Sequence, residues 1–198
     1  MTDLLFATGN VHKLREVQEI VGNEFRILSL RDVNIDSDIP ETSDTISGNA
    51  AQKARFVYEK TGMDCFADDT GLEVDALDGR PGVYSARYAG EGCNFDDNVT
   101  KILKELSGVE NRNAHFRCVV CLILAGEEYF FEGRIEGAIL KERKGQEGFG
   151  YDPVFVPIGY RQTFAEMPPY LKNGISHRGK AMFKMMKFLK KNGNNDHG

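Results

Sequence analysis

The sequence has no apolar run near the roughly 20 residues that a membrane-spanning helix needs. Its first residues pass from Met1-Thr2-Asp3 straight into Leu4-Leu5-Phe6, with neither the basic stretch nor the cleavage pattern of a secretory leader. The chain therefore reads as cytoplasmic, with no membrane partner. Positive charge is in deficit: 25 Lys and Arg against 30 Asp and Glu leave a net charge of −5. That balance argues against a nucleic-acid surface, though not against a small basic pocket. Cysteine is scarce, at four in 198 residues. Cys118 and Cys121 have C-x-x-C spacing but lie in a run, His115 to Leu124, that reads as a buried strand. Side chains three apart on a strand face opposite ways, so these two thiols cannot share a metal and read as reduced core residues.

Several signatures of chemistry are also missing. Neither G-x-x-x-x-G-K-S/T nor G-x-G-x-x-G occurs, which excludes a Walker A loop and a dinucleotide fingerprint. No repeat or linker divides the chain, and its length fits one domain over 1–198, with 192–198 as a flexible tail.

What is present alternates between the two hydrophobic periods. Strands are expected at Leu4–Thr8, Arg26–Leu30, Phe116–Leu124, Glu128–Glu132, Glu136–Lys141 and Val154–Val156. Helices are expected at Val11–Val21, Thr45–Thr61, Asp96–Leu106 and Ser176–Lys190. The mixture predicts an α/β fold with a mixed sheet. Lys180, Lys184, Lys187 and Lys191 form one stripe of the last helix and read as a solvated face.

Four stretches carry candidate chemistry. Phe66-Ala67-Asp68-Asp69-Thr70-Gly71-Leu72 places two carboxylates after an apolar run, where the strand is expected to break into a turn. Acidic oxygens there suit a hard cation and an activated water; the alternative is a solvated turn. Thr8-Gly9-Asn10-Val11-His12-Lys13 joins a strand to a helix, and its N–H groups, helix dipole and lysine suit a phosphate. Asn49 and Lys53, four apart on a helix, can reach one ligand. Around Phe149-Gly150-Tyr151-Asp152, glycines let a ligand approach, Phe149 offers a flat face and Asp152 an acceptor. Finally, Lys172 to Lys180, with His177 and Arg178, gathers donors at a helix start where cations oppose the dipole. Local rules tend to break in this way at binding sites.

In this order and spacing, these stretches, with Pro40-Glu41-Thr42 and Pro81-Gly82-Val83-Tyr84-Ser85-Ala86-Arg87, resemble the inosine/xanthosine triphosphate pyrophosphatase family over nearly the whole chain. The resemblance implies an elongated mixed α/β fold with two lobes around a central cleft, a homodimer and a requirement for Mg²⁺. The implied activity is hydrolysis of ITP, dITP and XTP to monophosphate and pyrophosphate, which keeps deaminated purines out of DNA and RNA. Carried over by motif, Thr8 to Lys13 with Asn49 and Lys53 would bind phosphates, and Glu41 and Asp69 would hold Mg²⁺. Asp69 would also take the proton from the attacking water, with Asp68 in support and Thr70 touching substrate. Phe149, Gly150, Tyr151, Asp152, Lys172, His177 and Arg178 would form the base pocket. Many relatives place a Glu before the Asn-Ala of the second helix; here it is Gly48.

Two other readings stand beside this one. A phosphatase with an aspartyl nucleophile wants Asp-x-Asp, which Asp68-Asp69-Thr70 does not supply, and would release orthophosphate. A nucleotide-binding sensor would bind without turnover.

Overall fold

The computed structural model describes residues 2–36, 38–92 and 94–193. The strands are β1 (Thr2–Phe6), β2 (Phe25–Leu28), β3 (Cys65–Val74), β4 (Pro81–Gly82), β5 (Asn113–Leu124), β6 (Glu127–Ile139) and β7 (Phe155–Pro157). The helices are α1 (Val11–Val21), α2 (Ile46–Thr61), α3 (Phe95–Glu105), α4 (Pro169–Ile175) and α5 (His177–Gly193). The strands form one mixed sheet in the order β2-β1-β3-β5-β6-β7, with β4 against β3. The β1 pairings with β2 and β3 are parallel; the rest are antiparallel. The expected α/β class with a mixed sheet is what the chain adopts.

β3, β5 and β6 are long enough to be packed at both ends, and three cores form along them. At one end three layers form. α2 packs Ala50, Ala54 and Val57 onto Cys65, Ala67 and Cys121, while α1 and α5 bury Val17, Met182 and Met185 on Phe66, Cys118 and Val120. At the other end α3 and β7 surround Leu72, Val74, Phe116 and Phe155. The cleft opens between these ends, which are the two lobes. Cys118 and Cys121 fall in cores on opposite faces, as strand geometry requires, and burial pushes their thiols, like that of Cys65, up to about 12. All three are free; Cys93 lies outside the described residues.

Three expectations need correction. The carboxylate segment is not a turn: Asp68 to Gly71 sit mid-strand in β3, paired with Val120 to Arg117 of β5. Glu128–Glu132 and Glu136–Lys141 belong to one strand, β6. Its interruption at Gly133 is a site of close approach, since a Cβ there would lie 1.9 Å from the His177 carbonyl and 2.7 Å from the Ala181 nitrogen. Lys172 does not precede the last helix in a loop; it lies on α4, near a C-terminus that favours a cation. The last helix itself reaches Gly193, into the segment expected as a tail, and 194–198 lie outside the described residues.

The lysine stripe of α5 does more than face solvent. Lys184 donates to the Glu132 carbonyl at 2.6 Å and Lys180 to the Arg134 carbonyl at 2.8 Å. Beyond the short β7 pairing this edge of β6 has no neighbouring strand among the described residues, and lysines are a common way to blunt such an edge.

Because Gly133 lets α5 seat against β6, Gly133→Ala should displace the start of α5. We expect a loss of about 1–3 kcal/mol in stability by urea denaturation, with a larger proportional loss of activity than of folded protein.

Candidate functional site

β3 leaves its two acids on opposite faces, and each meets a different set of cations. Asp68 turns toward α1 and α5 and has no exposed side-chain surface. Its Oδ1 accepts from Lys13 Nζ at 3.1 Å and its Oδ2 from Arg178 Nε at 3.0 Å. Burial alone would raise its pKa, but Lys13 and Arg178, with Lys53 beyond, hold the carboxyl well below the usual range. Asp69 turns toward α2, where Asn49 Nδ2 donates to Oδ2 at 3.3 Å and Lys53 Nζ lies 3.7 Å from Oδ1. Burial raises the Asp69 pKa; Lys53 and Lys13 oppose this and the Glu41 charge reinforces it. Neighbouring carboxylates are thus pushed apart, one firmly ionised and the other more basic, the pattern of divided acid–base roles.

Glu41 completes the α2 side. Lys53 Nζ donates to Glu41 Oε1 at 2.5 Å, so one ammonium is held between two carboxylates. Burial would strip the Lys53 proton, but Asp69 and Glu41 raise its pKa instead. Two acids converging on one cation fit a hard divalent ion. Among the described residues no third His, Cys, Asp or Glu joins them to make a metal cage, so a divalent ion held by these two acids would take its other ligands from phosphate or water. At Gly48 a Cβ would lie 1.9 Å from Ser43 Oγ and 2.8 Å from Ser43 Cβ. The Ser43 turn, whose N–H donates to Asn49 Oδ1 at 2.9 Å, fills the space where a longer side chain would start.

At the start of α1, Asn10 caps the helix, its Oδ1 accepting from His12 N at 2.9 Å and Lys13 N at 3.2 Å. The cap uses two of the N–H groups expected to meet phosphate. The Gly9 backbone stays open, with nothing within 4 Å of where a Cβ would stand.

On the other side, charges alternate through a buried chain: Asp152, Lys172, Glu16, Arg178, Asp68, Lys13. Lys172 Nζ donates to Asp152 Oδ2 at 2.6 Å and to Glu16; Arg178 donates to Glu16, to Asp68 and, at 3.2 Å, to Thr70 Oγ1. Burial and the Glu16 charge push Asp152 up against the pull of Lys172. Glu16 was not singled out by sequence reasoning. Its signal is its position three residues after Lys13, on the side of α1 that buries Val17.

His177 stacks on Phe116, with ring centroids 4.6 Å apart and planes within 11°. Its Nδ1 is enclosed without a hydrogen-bond partner. Burial, then Arg178 and Lys172, lowers its pKa well below the ordinary value, so the ring is neutral. Phe149 stacks on His12 at 5.3 Å and tilts against Phe95 at 5.9 Å. Tyr151 is buried, its hydroxyl donating to the Ser85 carbonyl at 2.8 Å.

A cavity of about 840 Å³ joins these groups, a size suited to a small-molecule ligand. Thr8, Gly9, Asn10, Lys13, Glu41, Lys53, Asp69, Thr70, Phe149 to Asp152, Lys172, His177 and Arg178 all line it. Asp68 and Asn49 stand buried behind the wall, while Val11 and His12 lie exposed at the rim. Phe116, Ser85, Arg87 and Asn98 line the cavity without having been anticipated as site residues.

A cleft with cations and an open backbone at one end and aromatic rings with fixed donors at the other defines a protein that takes a polyanion attached to a flat ring. Residues 4–188 match the Ham1 family. A dITP/XTP pyrophosphatase of Flavobacterium johnsoniae is 53% identical over 94% of this chain and 97% of its own. Solved structures of the Ham1 proteins of Coxiella burnetii (36% identical, TM-score 0.87) and Staphylococcus aureus (33% identical, TM-score 0.86) each cover 96% of this chain and are themselves covered completely. The chain belongs to the Ham1 family.

Two outcomes follow from this electrostatic arrangement. Glu16→Ala leaves Lys172 and Arg178 short of a carboxylate and should cost about 3–5 kcal/mol in urea denaturation, with Glu16→Gln losing less. The His177 pKa is depressed by folding, so between pH 6.5 and the folded value the unfolded chain holds the extra proton. Stability from this group is full above about pH 6.5 and declines as pH falls below it. His177→Gln should flatten the fall in unfolding free energy between pH 6.5 and 5.

Proposed function

We propose that this chain hydrolyses non-canonical purine nucleoside triphosphates, dITP, ITP and XTP, to the monophosphate and pyrophosphate. The observation that carries the mechanism is the division between Asp68 and Asp69. Water attacks the α-phosphorus, the bond to the bridging oxygen breaks, and pyrophosphate leaves. Asp69, the acid that burial makes more basic, accepts the proton of that water and passes it to solvent. Asp68 stays ionised and positions Lys13 and Arg178. Glu41 and Asp69 would hold Mg²⁺, which neutralises charge on the phosphates when bound. Lys13, Lys53 and the open backbone at Gly9 supply the protein's share of phosphate binding, and positioning with charge neutralisation provides most of the acceleration in phosphoryl transfer.

The base is assigned to Phe149, Asp152, Lys172 and His177. Three donor groups of Arg178 already serve Asp68, Glu16 and Thr70. The neutral His177 ring is therefore the better donor for a 6-keto oxygen, through Nε2. Adenine would turn an amino group toward that donor, and each buried donor left unpaired costs about 1–3 kcal/mol. The same reading places the enzyme in the cytoplasm, where its free thiols stay reduced, and pairs it into a homodimer.

With Mg²⁺, the protein should convert ITP, dITP and XTP to monophosphate and pyrophosphate much faster than ATP or GTP. Asp69→Asn should lower kcat about 10²–10⁴-fold without unfolding the chain. Orthophosphate as the product would favour an aspartyl phosphatase. An Asp69→Asn protein indistinguishable from wild type in both binding and behaviour would favour a sensor.

A further inference from the structure

The charges of the cleft do not balance in favour of its ligand. Lys13 is paired with Asp68, Lys53 with Glu41 and Asp69, Lys172 with Asp152 and Glu16, and Arg178 with Asp68 and Glu16. Four cations thus answer five carboxylates before any substrate arrives. A triphosphate brings several more negative charges into the same space.

Among the described residues, Arg87 is the cleft-lining cation with no carboxylate within ion-pair distance. Its guanidinium lies 5.2 Å from the Tyr84 ring, a contact that leaves its donors available. The backbone beneath it is held from both sides. Ser85 Oγ donates to the Gly82 carbonyl at 2.6 Å and accepts from Leu72 N at 2.8 Å, while the Ser85 carbonyl accepts from Tyr151. The buried Asn98 donates to the Ala86 carbonyl at 2.8 Å and accepts from Ala89 N at 2.7 Å. Six hydrogen bonds that do not involve the Arg87 side chain fix the turn around it, including Arg87 N to the Tyr84 carbonyl at 3.0 Å. A guanidinium on a rigid turn, facing the cleft and lacking an internal partner, is arranged for a ligand anion.

We propose that Arg87 binds the phosphates of the triphosphate from the turn at Ser85–Arg87, in the cavity that the start of α1 also lines. The proposal rests on the reading that a nucleoside triphosphate occupies the cleft. It assigns a phosphate contact to a residue whose side chain holds none of the protein's own charges.

The test is steady-state kinetics with ITP on wild type, Arg87→Ala, Arg87→Lys and, as a charge-matched control, the exposed Arg161→Ala. Arg87→Ala should raise KM for ITP by about tenfold or more, with most of the loss in KM rather than kcat, as expected when binding is removed from ground and transition states alike. Arg87→Lys should recover part of the loss, Arg161→Ala should match wild type, and thermal unfolding of Arg87→Ala should stay near wild type. Inhibition by inosine, which has no phosphate, should be unchanged. A KM within about twofold of wild type, an equal rise in Arg161→Ala, or inosine inhibition weakened by the same factor would each overturn the assignment. Absence of pyrophosphate release by the wild type would instead count against the pyrophosphatase reading.

Discussion

An extended strand cannot send two consecutive side chains to the same face, and the site is built on that constraint. Asp68 and Asp69 share a backbone yet meet different environments, because β3 stays paired with β5 at both residues after its pairing with β1 has ended at Phe66. The register is held by the cores on either face of the sheet. A slip of one residue would exchange the two acids, but it would also drive Phe66 into the α2 face, packed there around Cys65 and Ala67, and put those small side chains where Phe66 fills the α1 and α5 face. The division of labour between the carboxylates therefore follows from the hydrophobic pattern that holds the strand, with no further device needed to tell them apart.

The face that receives Asp68 is organised by charge rather than by apolar contact. The alternating chain from Asp152 to Lys13 draws on α1, β3, the segment before β7, α4 and α5. Glu16 bonds to partners 156 and 162 residues away in the chain. Buried ion pairs of this kind contribute little net stability relative to well-packed apolar residues. What they provide here is position: Lys172 and Arg178 are each fixed by two carboxylates. The α2 face is simpler, with one ammonium between two acids, and it keeps Glu41 and Asp69 converged despite their like charge.

Much of this was legible in the sequence, for reasons that also explain the errors. The regular apolar spacing placed α1 and α2 closely, because local chemistry and burial agree there, with Asn10 and Thr45 as the caps in the structure. Asp68-Asp69-Thr70-Gly71 read as a turn because each residue favours one locally; pairing with β5 overrides that preference, and no local signal reports it. Gly133 looked like the end of a strand, whereas its missing side chain makes room for α5. α4 escaped notice since seven residues give too little periodicity to register as a helix. Glu16 shows the same limit at the site: a helical acid looks solvated until the partners that bury it are known.

On the proposed assignment of the base, selectivity turns on how the donors around His177 and Arg178 are distributed. Arg178 brings a charged donor into the cleft, but its bonds to Asp68, Glu16 and Thr70 make it a beam of the structure first. His177 is the reverse case. Its ring is held against Phe116, its carbonyl is seated at Gly133, and neither nitrogen bonds to the protein among the described residues. Burial removes the imidazolium, so the ring offers one donor of fixed direction and no charge that would attract any anion indiscriminately. A donor at Nε2 is satisfied by a ligand oxygen and left unpaired by an amino group. On the proposed assignment, that asymmetry distinguishes a keto oxygen from an amino group, while the cations proposed to meet the phosphates, common to every nucleotide, contribute nothing to the choice.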